Sequence, residues 1–461
     1  MKRSFIPSLV RVKSSARSSV RWTVVEQLWV GLFLLLASCE QGPRVLPPVE
    51  PVKPIVDANQ TVIYECNERL FAESNAFQAI EAYIPTLADM GVNVLWLMPI
   101  HPIGADSKAV GSPYCIRDFK AINPAFGTMS DLKSLVQTAH QNGMRVMLDW
   151  IANHTSWDNR WVTAHPDWYQ PAQTADEKFW EDVTFLNYQI PAVCDTMKAA
   201  MLYWVQEADI DGFRCDYADG APIEFWKSVI TDLRARKSNA IMLAETSDAR
   251  LYTAGFDLLY SWSFMYAVEG LYNGSSTFAA LLSANTSEYN STPEGKDRMR
   301  YVTTHDESAQ TAPGNVFRTA QGELSAFCLT AFLAGVPMVY SSQELGNLSA
   351  INFFDYNIMD FQSPNATRTA MTKLLKAYRE TAHLRGGKQL TGSLNTKVHY
   401  VQYTDEQETM IVICNTANSD QEVKLPMAHQ GHTVTDLLTG ETLTLGTTAT
   451  LAPYEYRIYK H

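Results

Sequence analysis

The chain has 461 residues, 46% of them hydrophobic, which is enough for a large core and too long for one small domain. Its formal charge is −12, and an acidic body argues against nucleic acid or an anionic lipid surface as a partner. Aromatic residues make up 11%, a share compatible with sugar-stacking surfaces, although ordinary burial is the commoner use.

The first 38 residues read as a targeting segment rather than as fold. Lys2, Arg3, Arg11, Lys13, Arg17 and Arg21 precede an apolar stretch from Trp29 to Ala37. That stretch is too short to span a bilayer and suits the core of a signal peptide. It runs into Leu36-Ala37-Ser38-Cys39, which resembles a bacterial lipobox and makes Cys39 the expected lipidation site. The alternative is an uncleaved membrane-anchored N-terminus; either way the body is expected to be exported and held in the cell envelope. Residues 39–59 carry Pro43, Pro47, Pro48, Pro51 and Pro54 and read as an extended tether.

From residue 60 onward, short apolar strands alternate with amphipathic helices. The expected strands are 62–66, 92–98, 145–150, 212–216, 241–245, 256–262, 300–304 and 336–341. Most lack polar alternation, as strands covered on both faces do. Helices are expected between them, for example over 76–90 and 129–142, with Gly91 and Gly143 placed to stop each one. Eight strands with intervening helices predict an α/β fold, a (β/α)8 TIM barrel over residues 60–385. The connection after the third strand is long and rich in Trp, Asp and Pro, and is expected to be a short inserted loop domain at about 155–194. Residues 386–461 change to short alternating strands, expected near 399–403, 409–415, 422–425, 442–445 and 454–459. They predict a C-terminal antiparallel β-sandwich domain.

Six cysteines remain beside Cys39: Cys66, Cys115, Cys194, Cys215, Cys328 and Cys414. They show no CxxC and no metal-ligand spacing. An oxidising compartment leaves room for one disulfide, but no framework is visible.

Four segments put charged or imidazole side chains at expected strand ends: LDWIANH (148–154), GFRCD (212–216), LAE (243–245) and TTHD (303–306). A barrel builds its active site at that face. Three acids gathered there, Asp216, Glu245 and Asp306, suit nucleophile and acid/base chemistry on a sugar.

In order and spacing, these segments resemble the characteristic regions of glycoside hydrolase family 13, the α-amylase family, over roughly residues 60–460. The resemblance implies Asp216 as catalytic nucleophile, Glu245 as general acid/base and Asp306 as the third carboxylate. It implies Arg214 beside the nucleophile, His154 and His305 on the substrate, and Asp149 as a structural acid near Arg214. GSPYCIRDF (111–119) resembles the segment whose tyrosine stacks on the cleaved sugar, which nominates Tyr114. Asn153 matches an asparagine that often ligates calcium; no cofactor is required for the chemistry, and calcium is left open. The expected function is a retaining α-glycosidase, a glycoside hydrolase acting on α-1,4 bonds of starch or maltooligosaccharides through a covalent glucosyl-enzyme. The alternatives are an α-glucan transglycosidase or isomerase using the same residues, and a non-catalytic surface glucan-binding protein. The sequence departs from the starch-degrading pattern after the nucleophile: Tyr217-Ala218-Asp219-Gly220 stands where those enzymes continue to a Lys-His pair.

Overall fold

A computed structural model describes residues 54–461. The expected signal segment, Cys39 and most of the tether lie outside the described residues.

Eight parallel strands close into a barrel in chain order: β1 (Ile63–Cys66), β2 (Val94–Leu97), β3 (Arg145–Ile151), β4 (Gly212–Asp216), β5 (Ile241–Ala244), β6 (Leu258–Leu259), β7 (Asp297–Arg300) and β8 (Val336–Tyr340). β1 pairs with both β2 and β8, which seals the ring. The TIM-barrel expectation is therefore met. The strands are apolar because the helices cover one face and the barrel interior fills the other.

The helices around them are α1 (Ala76–Met90), α2 (Met129–Gln141), α3 (Pro191–Ala208), α4 (Ile223–Arg236), α5 (Trp262–Asn273), α6 (Phe278–Tyr289), α7 (Ala320–Leu333) and α8 (Ala366–Glu380), with shorter turns between. α1 ends at Gly91, whose φ of 105° only glycine adopts freely and whose N–H reaches back to Leu87 and Ala88. α2 opens on a capping box between Thr128 and Asp131.

Two strands differ from expectation. β6 forms only a two-residue ladder, because Trp262 already begins α5. β7 starts and ends earlier than the expected 300–304: its ladder is Asp297–Arg300, and Thr304 instead caps a short helix, His305–Gln310. The apolar pattern concealed β7 because Arg298 and Arg300 are buried in it with private partners. Arg300 lies over the Phe264 ring and is ion-paired with Glu288.

The segment after β3 is more ordered than a long loop. His154–Ser156, Val183–Leu186 and Tyr169–Gln170 form a small antiparallel sheet beside the barrel mouth.

The C-terminal region has eight strands rather than five: β9 (Lys388–Ser393), β10 (Val398–Thr404), β11 (Thr409–Asn415), β12 (Gln421–Lys424), β13 (Thr433–Asp436), β14 (Thr442–Thr444), β15 (Thr448–Leu451) and β16 (Tyr456–Lys460). Six make one antiparallel sheet in the order β9-β10-β11-β16-β13-β14, and β12 pairs with β15. Val398, Ile411 and Ile413 of the large sheet share a core with Val423, Leu425 and Leu451 of the small one, giving the two-layer β domain. Among the described residues no helix is long and apolar enough to cross a membrane.

Candidate active site

At the C-terminal ends of the barrel strands one buried cation organises the acids. Arg214, on β4, has no exposed surface. Its Nη1 donates to Asp149 Oδ1 on β3 and to Asp216 Oδ1, both at 2.8 Å. Its Nη2 lies 3.0 Å from Glu245 Oε2, and its Nε donates to the Tyr260 hydroxyl at 3.2 Å. A single guanidinium thus holds the nucleophile and acid/base candidates side by side on its two arms. Their placement follows from the barrel: β3, β4 and β5 are neighbours in register, so Asp149, Arg214 and the strand-end acids meet across adjacent ladders.

The charges are set by burial against that cation. Burial raises Asp216 to about 6, with Arg214 opposing the rise and Asp149 adding to it. Glu245 goes further, to about 7: burial raises it, Arg214 opposes, and the carboxylates of Asp216 and Asp306 push it up again. Arg214 therefore moderates the rise at Asp216 without reversing it. The order suits a reaction needing one ionised and one protonated acid. The Tyr217 N–H also donates to Glu245 Oε2 at 2.8 Å. Tyr217 reaches that position in a left-handed conformation, φ 38°, strained for a residue with a ring.

A second chain of contacts runs from β1. Glu65 Oε1 meets His305 Nδ1 at 2.5 Å, and Nε2 of His305 lies 2.8 Å from the Tyr114 hydroxyl and 3.4 Å from Asp306 Oδ2. The Tyr114 hydroxyl donates to Asp149 Oδ2 at 3.1 Å. With that hydroxyl proton committed to Asp149, both ring nitrogens of His305 face acceptors. Burial works against a charge on His305, but Asp306 and Glu65 outweigh it and lift the imidazole to about 10. Burial also raises Glu65, while His305 pulls it back down. The two tendencies conflict; the short contact and the acceptors on both nitrogens favour the ion pair, carboxylate with imidazolium, over the neutral pair.

Tyr114, His154, Asp216, Glu245, His305 and Asp306 all line one cleft of about 1240 Å³. Asp306 is the most open of the three acids, its side chain 41% exposed. His154 donates from Nε2 to the Tyr114 carbonyl at 3.1 Å, and burial lowers it to about 4, so its Nδ1 is left as an acceptor. One Tyr114 face stacks on His305, with ring centroids 5.2 Å apart. Asn153 is buried and sits apart: its amide points at Glu177 Oε1, 3.4 Å away. The Glu177 carboxylate already accepts the N–H groups of Gln173 and Thr174. That pair falls short of the six to eight oxygens calcium takes, and no group of three His, Cys, Asp or Glu among the described residues fits a metal ion.

Sequence reading missed several parts of the cleft. Trp180 from the inserted segment meets Tyr217 edge-to-face at 5.2 Å, and Phe353 and Phe354 close the side near Tyr114. The Trp-rich long connection was the only signal for Trp180. Glu65 gave none, being a lone acid in an apolar strand.

A closed parallel barrel with three carboxylates around a buried arginine at its strand ends defines a barrel glycoside hydrolase. The family described as "Alpha amylase, catalytic domain" matches residues 72–184, and "Maltogenic Amylase, C-terminal domain" matches residues 400–458. The α-amylase MalA of Haloarcula japonica is 27% identical over 410 residues, 83% of this chain and 59% of that protein. A cyclomaltodextrinase of Geobacillus thermopakistaniensis is also 27% identical, over 83% of this chain and 69% of its own. The crystal structure of an α-amylase from Lactobacillus plantarum superposes with a TM-score of 0.77 at 25% identity, covering 88% of this chain and 99% of the other. By these matches the chain is a glycoside hydrolase of the amylase type, similar to members of the α-amylase family, glycoside hydrolase family 13.

Proposed function

We propose that the protein is a retaining α-glycosidase that hydrolyses α-1,4-glucosidic bonds in starch or maltooligosaccharides. The observation that carries this reading is the pair Asp216 and Glu245 on two arms of one guanidinium at the floor of the cleft. Glu245, protonated, gives its proton to the glycosidic oxygen as Asp216 attacks the anomeric carbon. The leaving sugar departs and a covalent glucosyl-enzyme remains. Glu245, now a base, takes a proton from water, which releases the sugar with retained configuration. Asp306, His305 and His154 hold hydroxyls of the cleaved sugar, and Tyr114 supplies a flat apolar wall. A cleft of about 1240 Å³ exceeds what one small ligand needs, which favours a chain of several sugars. Similarity to proteins named α-amylase and cyclomaltodextrinase supports an α-glucan substrate. We also place the protein in the cell envelope, lipid-anchored through Cys39, on the N-terminal sequence alone.

The test is a product time course with maltoheptaose, soluble starch and pullulan. Shorter glucans are the expected products. Products longer than the substrate would transfer the assignment to an α-glucan transglycosidase, and glucan binding without turnover would make the protein a surface sugar binder.

A further inference from the structure

We propose that Cys328 and Cys414 form a disulfide that locks the C-terminal β domain onto the barrel. Cys328 lies on α7 of the barrel, and Cys414 on β11 of the β domain. α7 packs along β11. One turn before Cys328, Ser325 Oγ donates to the Asn415 carbonyl at 3.2 Å and meets the Tyr272 hydroxyl at 2.8 Å. Residues 325 and 328 share a helix face, so this bond brings the residue adjoining Cys414 onto the face that carries Cys328. Both are free thiols in the structure; Cys328 is raised by burial and further by the Cys414 thiol beside it. Neither has any exposed surface. Tyr456, the ladder partner of Cys414, and Tyr272 close around the pair.

The other described cysteines are placed differently. Cys115 Sγ donates to the Asp182 carbonyl at 3.1 Å and Cys194 Sγ to the Tyr188 carbonyl at 3.6 Å. Cys66 and Cys215 are buried on separate barrel strands, β1 and β4. The sulfur pair that bridges the two domains is the one on α7 and β11.

Two S–H bonds break and one S–S bond forms. The two electrons pass to a disulfide oxidant, oxidised glutathione or a protein disulfide of an oxidising compartment, which leaves as two thiols. Exchange begins at a thiolate, and burial pushes the Cys328 thiol up, so the closed interface is inert. The bond therefore forms as the β domain docks during folding, and once formed it is shielded from reductants. It ties elements far apart in sequence, where a cross-link restrains the unfolded chain most. The proposal needs export only for its occurrence in the cell, and the chemistry is tested without it or any glycosidase activity.

The full chain would be unfolded, reduced and refolded with mixed oxidised and reduced glutathione. It would then be unfolded in iodoacetamide and digested. The expected result is joined Cys328 and Cys414 peptides with every other cysteine alkylated. Protein refolded in dithiothreitol should melt about 5 °C lower, and this difference should vanish in the C328A/C414A variant. Alkylation of both residues after oxidative refolding, or their linkage to other cysteines, overturns the proposal. If the double variant fails to fold, the peptide map of the unaltered chain still decides.

Discussion

Glu65 Oε1 lies 2.5 Å from Nδ1 of His305, and neither residue has appreciable exposure. The pair joins β1 to the short helix that follows β7, beside the cleft that His305 lines. His305 is raised to about 10 by Asp306 and Glu65 against its burial, whereas in the unfolded chain an imidazole titrates near about 6.5. A raised folded-state value means the stabilisation is complete below about pH 6.5 and is lost as pH climbs through about 10. Glu65→Gln removes the anion that supports the charge. Its destabilisation, roughly 3–5 kcal/mol for breaking a buried pair, should be widest below about pH 6.5 and narrow toward pH 10. Urea midpoints of both proteins across that range test it; a gap independent of pH would remove the imidazolium.

Turnover should follow a narrow bell in pH. As the proposed nucleophile, Asp216, raised to about 6, must be ionised to attack, and Glu245, as the proposed acid raised to about 7, must carry a proton. kcat/KM should therefore fall below about pH 6 and above about pH 7, with limbs that belong to the coupled pair rather than to either acid. Arg214→Ala removes the cation that opposes the rise of Asp216, so the acidic limb should move upward. A plateau extending well below pH 5 in the unaltered enzyme would contradict the assignment.

The barrel was legible because its strands are buried on both faces and read as apolar runs, and because Asp216 ends β4 and Glu245 directly follows β5. Legibility failed where a strand carries buried charge. Arg298 and Arg300 made β7 look polar, since their partners Thr292, Ser291 and Glu288 precede it and neutralise them only in three dimensions. Glu65 was invisible for the same reason: His305, the group that explains it, comes from the other end of the barrel. The missed strands β9, β13 and β15 are short and carry exposed threonines or charged groups, so their period of two is weak. The order of the inserted sheet depends on contacts such as His154 with Phe185, which no local pattern announces.

Asp216→Asn should lower kcat by roughly 10⁴-fold or more, since the proposed nucleophile is lost while most binding contacts stay. Glucan affinity, read by titration calorimetry with maltoheptaose, should survive. Glu245→Gln should lose turnover on glucans but keep much of its rate on aryl glycosides whose leaving group needs no proton. Equal losses on both substrates would deny Glu245 its role as acid.

Tyr217 joins two functions in one residue, and substitutions separate them. Its backbone N–H holds Glu245, and its ring meets Trp180 at the cleft wall. Tyr217→Gly keeps the N–H and relieves the left-handed strain at φ 38°, so kcat on a small aryl glycoside should change little. The same variant, and Trp180→Ala, should raise KM for maltoheptaose by about tenfold, the worth of roughly 1.4 kcal/mol of lost ring contact. Tyr217→Val adds a β-branched side chain where φ is positive and should lower kcat on both substrates by disturbing the N–H contact to Glu245. A KM for maltoheptaose unchanged in both Tyr217→Gly and Trp180→Ala would place the glucan chain elsewhere in the cleft.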